Sequence, residues 1–211
     1  MLSGVLTPTS GKILLEGGGI TGLRPDQIAQ RGIVRTYQNL RLFQKMTVLE
    51  NVIIGAQMHV KSQIFASIIG TPGYRKDERE LKEKAMHMLD LMGIAEHAND
   101  NAGSLPYGLQ RRLEIARALA TSPSLLLLDE PAAGMNPQET QDLTDFIHKI
   151  RDDYHLTIFM IEHHMDLVMQ ISDRIYVLDF GKLIAQGTPD QVQNNPKVIE
   201  AYLGVSEDAE D

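Results

Sequence analysis

Four consecutive leucines (residues 125–128) run directly into Asp129-Glu130, and a second apolar run (residues 156–161) leads into Glu162-His163-His164. An apolar run without alternation suits a strand buried on both faces of a parallel sheet. In such a sheet ligands gather beyond the C-terminal ends of the strands. Asp129, Glu130 and His163 therefore fall where a ligand would sit. An aspartate there can hold Mg²⁺ through water, and a neighbouring glutamate can orient or deprotonate an attacking water. The bare acid pair serves equally well to solvate a strand end, so its context has to decide.

The elements that must position these residues alternate between strand-like and helix-like, which favours an α/β layer architecture. Residues 12–15 read as a short strand leading into the turn Gly17-Gly18-Gly19. Pro25 starts a brief helix, and residues 33–37 read as another strand. Residues 47–120 are mostly helical. Leu81, Ala85, Leu89 and Met92 recur at helical spacing with Gly93 as the stop, and Glu80 and Lys84 form an i,i+4 pair on the wet face. Leu109, Leu113, Ala116 and Ala120 mark a further amphipathic helix, halted by Thr121-Ser122-Pro123.

After the leucine run, Asn136 as N-cap, Pro137 and Glu139 open a helix whose apolar face is Leu143, Phe146, Ile147 and Ile150. Residues 174–178 and 182–185 flank the hairpin signal Asp179-Phe180-Gly181, and Thr188-Pro189-Asp190-Gln191 repeats the capping pattern. An acidic, frayed tail is expected from Glu207.

The 211 residues suffice for one sizeable domain, and a formal net charge of -8 argues against a nucleic-acid partner. With no cysteine, disulfides and thiolate metal sites are excluded. No apolar run approaches the ~18 residues that span a bilayer. Met1-Leu2-Ser3-Gly4 has no basic, cleavable leader character. The expected location is cytoplasmic, with membrane association only through a partner.

Context comes from the ordered motifs. Thr36-Tyr37-Gln38 is followed by Leu105-Pro106-Tyr107-Gly108-Leu109-Gln110-Arg111-Arg112-Leu113-Glu114-Ile115-Ala116-Arg117, then Asp129-Glu130-Pro131-Ala132-Ala133-Gly134-Met135-Asn136-Pro137, then Ile161-Glu162-His163. This set resembles the nucleotide-binding domain of ABC transporters, whose Gln-loop, signature, Walker B with D-loop, and H-loop occur in that order. The segment of residues 57–77, with its apolar stretch at 64–69, and the ending Asn195-Pro196-Lys197-Val198-Ile199-Glu200-Ala201-Tyr202-Leu203-Gly204 are similar to the ATP-binding subunits of branched-chain amino acid importers. That stretch could dock on a membrane subunit; a plain buried helix is the simpler reading.

The resemblance implies a P-loop NTPase-like α/β fold, a mostly parallel sheet flanked by helices. It also implies a single domain over 1–211, with a helical subdomain at 48–120 and the Walker B and H-loop part at 121–211. Gln38 matches the loop glutamine at Mg²⁺ and water, Asp129 the Mg²⁺-organising acid, Glu130 the general base and His163 the γ-phosphate switch. Tyr107, Gly108, Leu109 and Gln110 match the signature that meets ATP bound to a partner subunit, and Ala133, Gly134, Met135 and Asn136 the D-loop, where the family usually has Asp in place of Asn136. The implied cofactors are ATP and Mg²⁺. The implied partners are a second ATPase subunit in a head-to-tail dimer, membrane-spanning permease subunits and, indirectly, a periplasmic binding protein. The implied location is the cytoplasmic face of the inner membrane.

Two departures stand out. No Gly-x-x-x-x-Gly-Lys-[Ser/Thr] occurs, so the Walker A loop and the strands before it are absent from these residues. That loop is what holds the β- and γ-phosphates, so the chain alone is expected to fold poorly and not to hydrolyse ATP. Pro106 stands where the family has the signature serine, so a weakened contact across the dimer is expected. An alternative reading is a non-catalytic module that lends its signature to a partner ATPase. A role in DNA repair or translation finds no support in the layout.

Overall fold

A computed structural model describes residues 1–59 and 72–203; the apolar stretch at 64–69 and the acidic tail from Glu207 lie outside the described residues. In chain order the strands are β1 (Leu14–Leu15), β2 (Gly18–Gly19), β3 (Ile33–Arg35), β4 (Leu125–Asp129), β5 (Thr157–Ile161), β6 (Ile175–Asp179) and β7 (Lys182–Gly187). The helices are α1 (Pro25–Gln30), α2 (Val48–Ala56), α3 (Pro72–Leu91), α4 (Tyr107–Ala120), α5 (Pro137–Tyr154), α6 (Met165–Ile171), α7 (Pro189–Gln193) and α8 (Pro196–Leu203).

The site is carried by a three-stranded parallel sheet in the order β3-β4-β5. Ile33 lies opposite Leu125, and Leu125 in turn opposite Thr157; at the far end Asp129 lies opposite Ile161. The leucine run of β4 is buried on both sides, as its lack of alternation predicts. Leu126 and Leu128 join the large core, whereas Leu127 packs with Ile20, Ile28 and Ile33 on the other face.

The second apolar run differs from expectation. Leu156 is buried just ahead of β5, but inside the strand Phe159 and Ile161 are 45% and 55% exposed. The strand covers the large core with one face, through Ile158 and Met160, and leaves the face of Phe159 and Ile161 open; among the described residues β4 has a strand on either side, whereas β5 is hydrogen-bonded along one edge. β6 and β7 form a separate antiparallel hairpin, turning through Phe180 and Gly181 at positive φ, and β1 and β2 form another.

Helices α2, α3 and α4 cover the large core with Val48, Val52, Ala85, Leu89, Leu113 and Leu119. α3 ends where Gly93 adopts φ +65°, a left-handed stop that glycine takes without strain. Lys84 does not pair with Glu80. Its ammonium donates to Ser122 Oγ at 2.8 Å, and Glu80 lies 3.7 Å from Lys76 instead. α5 opens with a reciprocal cap, Asn136 Oδ1 accepting from Glu139 N–H and Glu139 Oε2 from Asn136 N–H. Thr188 and Gln191 repeat that arrangement at α7.

Candidate active site

The C-terminal ends of β3, β4 and β5 lie side by side, because parallel pairing in register brings all three strand ends to one edge. Four of the residues singled out above emerge there. Gln38, three residues beyond β3, donates from Nε2 to Glu130 Oε2 at 2.6 Å. His163, two residues beyond β5, places Nδ1 4.0 Å from Glu130 Oε1. Asp129 closes β4, and its Oδ2 accepts from Arg35 Nη2 at 2.6 Å. The carboxylates, the amide and the imidazole therefore converge on one end of the sheet.

Glu130 sits in the left-handed region at φ 45°. For a residue with a Cβ such a conformation costs about 1–3 kcal/mol and persists only where its surroundings impose it. Here the Glu130 N–H donates to Ile161 O at 2.9 Å and its carbonyl accepts from Ala133 N–H at 3.2 Å. The chain is thus forced to turn at Glu130, which lifts the carboxylate off the strand end towards Gln38.

The residues matched to the signature and D-loop form a second group. Leu109 is half-buried and Gln110 Nε2 caps Leu105 O at 2.8 Å, while Tyr107 is exposed. Ala133, Gly134 and Met135 form the turn before Asn136, with Gly134 at φ +77°. A Cβ at Gly134 would lie 3.8 Å from the Tyr107 ring, so the two motifs are neighbours within one chain. Asn136 is committed to capping α5, whatever else it meets.

Three further arrangements were not foreseen from sequence, although Arg35 and Arg41, with Arg31, read there as a local basic patch. Arg111 and Glu114 are buried and paired at 2.8 Å on one face of α4. Glu162 has a fully buried carboxylate that accepts from Ala132 N–H at 2.9 Å and His163 N–H at 3.0 Å. Arg35 and Arg41 lie over the Tyr37 ring, 5.1 and 4.6 Å from its centroid. For Arg111 and Glu114 the available signal was charge at positions of α4 that the helical period places inside; the backbone groups they meet are far away in sequence.

Among the described residues no group of three or more acidic or histidine side chains could hold a metal ion by itself. Mg²⁺ does not need such a cage, since it commonly takes one or two carboxylates and completes its shell with water and phosphate oxygens. Asp129 with the Gln38 amide fits that limited donor set.

Comparison with known proteins bears on this arrangement. The family model described as ABC transporter matches residues 1–133, and that of a branched-chain amino acid ATP-binding cassette transporter matches residues 182–208. The high-affinity branched-chain amino acid transport ATP-binding protein BraF of Pseudomonas aeruginosa is 49% identical over 203 residues, covering 96% of this chain and 80% of that protein. LivG of Escherichia coli, which carries the same description, matches to the same extent. A crystal structure of the ADP conformation of an ATP-binding cassette of an ABC transporter superposes with a TM-score of 0.79 at 32% identity, covering 96% of this chain and 80% of that one.

Proposed function

The chain belongs to the ABC transporter family of ATP-hydrolysing subunits, and on that premise we propose that it energises import of branched-chain amino acids. In this reading it works on the cytoplasmic face of the inner membrane, in a head-to-tail dimer with a second ATPase subunit beneath membrane-spanning permeases. Among the described residues no helix is long and apolar enough to cross a membrane, which accords with a peripheral subunit.

The observation that carries the proposal is the meeting of Gln38 and His163 on Glu130 at the end of β4. Glu130 takes the proton of the attacking water through its carboxylate. Gln38, donating to Glu130 Oε2, holds that carboxylate and the water in line, and His163 faces the γ-phosphate, which takes the water oxygen as its bond to ADP breaks. Asp129 and the Gln38 amide are the groups that would hold Mg²⁺. When bound there, the ion would supply charge neutralisation at the phosphate oxygens. The N-terminal turn of α4, Tyr107 to Gln110, offers its backbone N–H groups to a nucleotide on the partner subunit. Helices α2, α3 and α4 make up the helical layer that carries that turn, and the ends of β3, β4 and β5 carry the water-activating edge.

One observation favours a second reading. No Gly-x-x-x-x-Gly-Lys-[Ser/Thr] lies within these 211 residues, whereas the first turn of α4 is accessible at Tyr107. A module of this kind would lend its signature to a partner that owns a phosphate-binding loop, and the 211 residues alone would not turn over ATP.

A single assay separates the two. The chain is assembled with an ATPase partner and permease subunits in proteoliposomes, and ATP-dependent leucine uptake is followed. Under the catalytic reading Glu130→Gln lowers uptake and ATP hydrolysis by about 10²–10⁴-fold, the usual contribution of a general base. Under the second, Glu130→Gln is silent and Gly108→Glu abolishes uptake. Uptake that survives both changes overturns the proposal.

A further inference from the structure

We propose that the buried pair Arg111–Glu114 is the positioning device of this site: it clamps the backbone of Tyr37 and Gln38 and thereby fixes where the Gln38 amide meets Glu130. The clamp begins where β3 leaves the sheet. Thr36 is the last residue to follow β4, its N–H donating to Leu127 O at 2.9 Å. From the next residue the chain turns away, and the backbone groups of Tyr37 and Gln38 need other partners. The pair on α4 supplies them. Glu114 Oε1 accepts from Tyr37 N–H at 3.4 Å, Arg111 Nη1 donates to Tyr37 O at 2.7 Å, and Arg111 Nη2 donates to Gln38 O at 3.1 Å.

Stability alone does not account for such a pair. Arg111 is 0% and Glu114 2% exposed, and two apolar residues at buried positions of this kind are often neutral or better. Arg111 Nε also has no hydrogen-bond partner among the described residues, a further burden on the folded state. What an apolar pair cannot do is hold two carbonyls and an N–H of a departing strand. The planar guanidinium can, because its fork reaches several acceptors at fixed angles. Its Nη2 also lies 3.5 Å from Glu130 O and 3.4 Å from Tyr107 Oη. One side chain thus touches the Gln38 loop, the end of β4 and the first turn of α4, so a shift of that turn is passed to Gln38. The consequence for catalysis rests on the reading of Gln38 and Glu130 given above; the clamp does not.

Arg111→Lys is the test, because lysine keeps the charge beside Glu114 but lacks the fork. Amide hydrogen exchange in the full 211-residue chain is read at Tyr37, with Thr36 and the β4 amides as internal references. The clamp predicts exchange at Tyr37 faster by about tenfold or more while the reference amides hold. The paired apolar variant R111M/E114L, which leaves no lone buried charge, is measured beside it and must free Tyr37 in the same selective way. Unchanged exchange at Tyr37 overturns the clamp, as does an acceleration spread evenly over Thr36, β4 and Tyr37. In the assembled ATPase, Arg111→Lys lowers kcat about tenfold to a hundredfold with KM for ATP unaltered. A freed loop with unaltered kcat overturns the catalytic consequence and the role of Gln38, independently of whether the chain energises import.

Discussion

The Glu162 carboxylate is enclosed, yet its nearest partners are backbone amides. It accepts from Ala132 at 2.9 Å, from His163 at 3.0 Å and from His164 at 3.4 Å. It therefore ties the turn after β4 to the turn after β5, which keeps Glu130 and His163 on the same side. Glu162→Ala leaves these donors without their acceptor. The expected loss is about 2 kcal/mol or more, read as a lower urea midpoint at unchanged slope, and Glu162→Gln, which keeps one acceptor oxygen, loses about half as much. A midpoint equal to that of the parent chain for Glu162→Ala would mean that water satisfies these amides and that the tie carries nothing. At this scale the sequence divides by distance. Asp129, Glu130 and His163 could be located because each lies within two residues of the end of an apolar run. Glu162 was visible only as a neighbour of His163, and Arg111 and Glu114 only as charges on a helix, since the backbone they hold is 73 to 77 residues away.

Helix boundaries were legible for the opposite reason: a cap is a short-range device. Asn136 with Glu139 and Thr188 with Gln191 each close their hydrogen bonds within three residues. What the pattern did not convey is how closely the helices approach. α2 and α4 touch at Gly55, where a Cβ would meet Arg117 O at 2.3 Å. The obstacle is backbone, so it cannot rotate aside as the end of a side chain would. Burial already pushes the Arg117 guanidinium below its ordinary pKa, with the Glu114 charge opposing that shift. Gly55→Ala gains helix propensity but has to separate the two helices, and overpacking of this kind costs about 1–3 kcal/mol. The propensity gain of roughly 1 kcal/mol for Ala over Gly is the smaller effect at this position. The variant is therefore expected to be less stable than the parent chain in thermal and urea unfolding. A more stable Gly55→Ala would show that α2 and α4 yield to each other freely.

At the scale of the whole molecule, the parallel sheet stops at β5 among the described residues, and β6 pairs there with β7 alone. Between them lies a cleft of ≈ 730 Å³ lined by Ile158, Met160, Val168, Ile171, Ile175 and Val177 among others. Phe159, Ile161, Tyr176 and Leu178 add large exposed apolar surfaces on the same two strands. Among the described residues β4 is paired on both edges and β5 on one. An unpaired strand edge beside exposed apolar side chains is a template for association. The 211-residue chain is accordingly expected to bind the dye ANS in native buffer and to self-associate with rising concentration in sedimentation velocity. Ile161→Lys combined with Leu178→Lys places charge on both strands at positions that contribute little to the core. The pair should lower dye fluorescence and association together while leaving the urea midpoint where it was. If the parent chain stays monomeric and dark to the dye across the same concentrations, the two strands are covered in solution by chain that is already present, and the open edge is not a property of the folded protein.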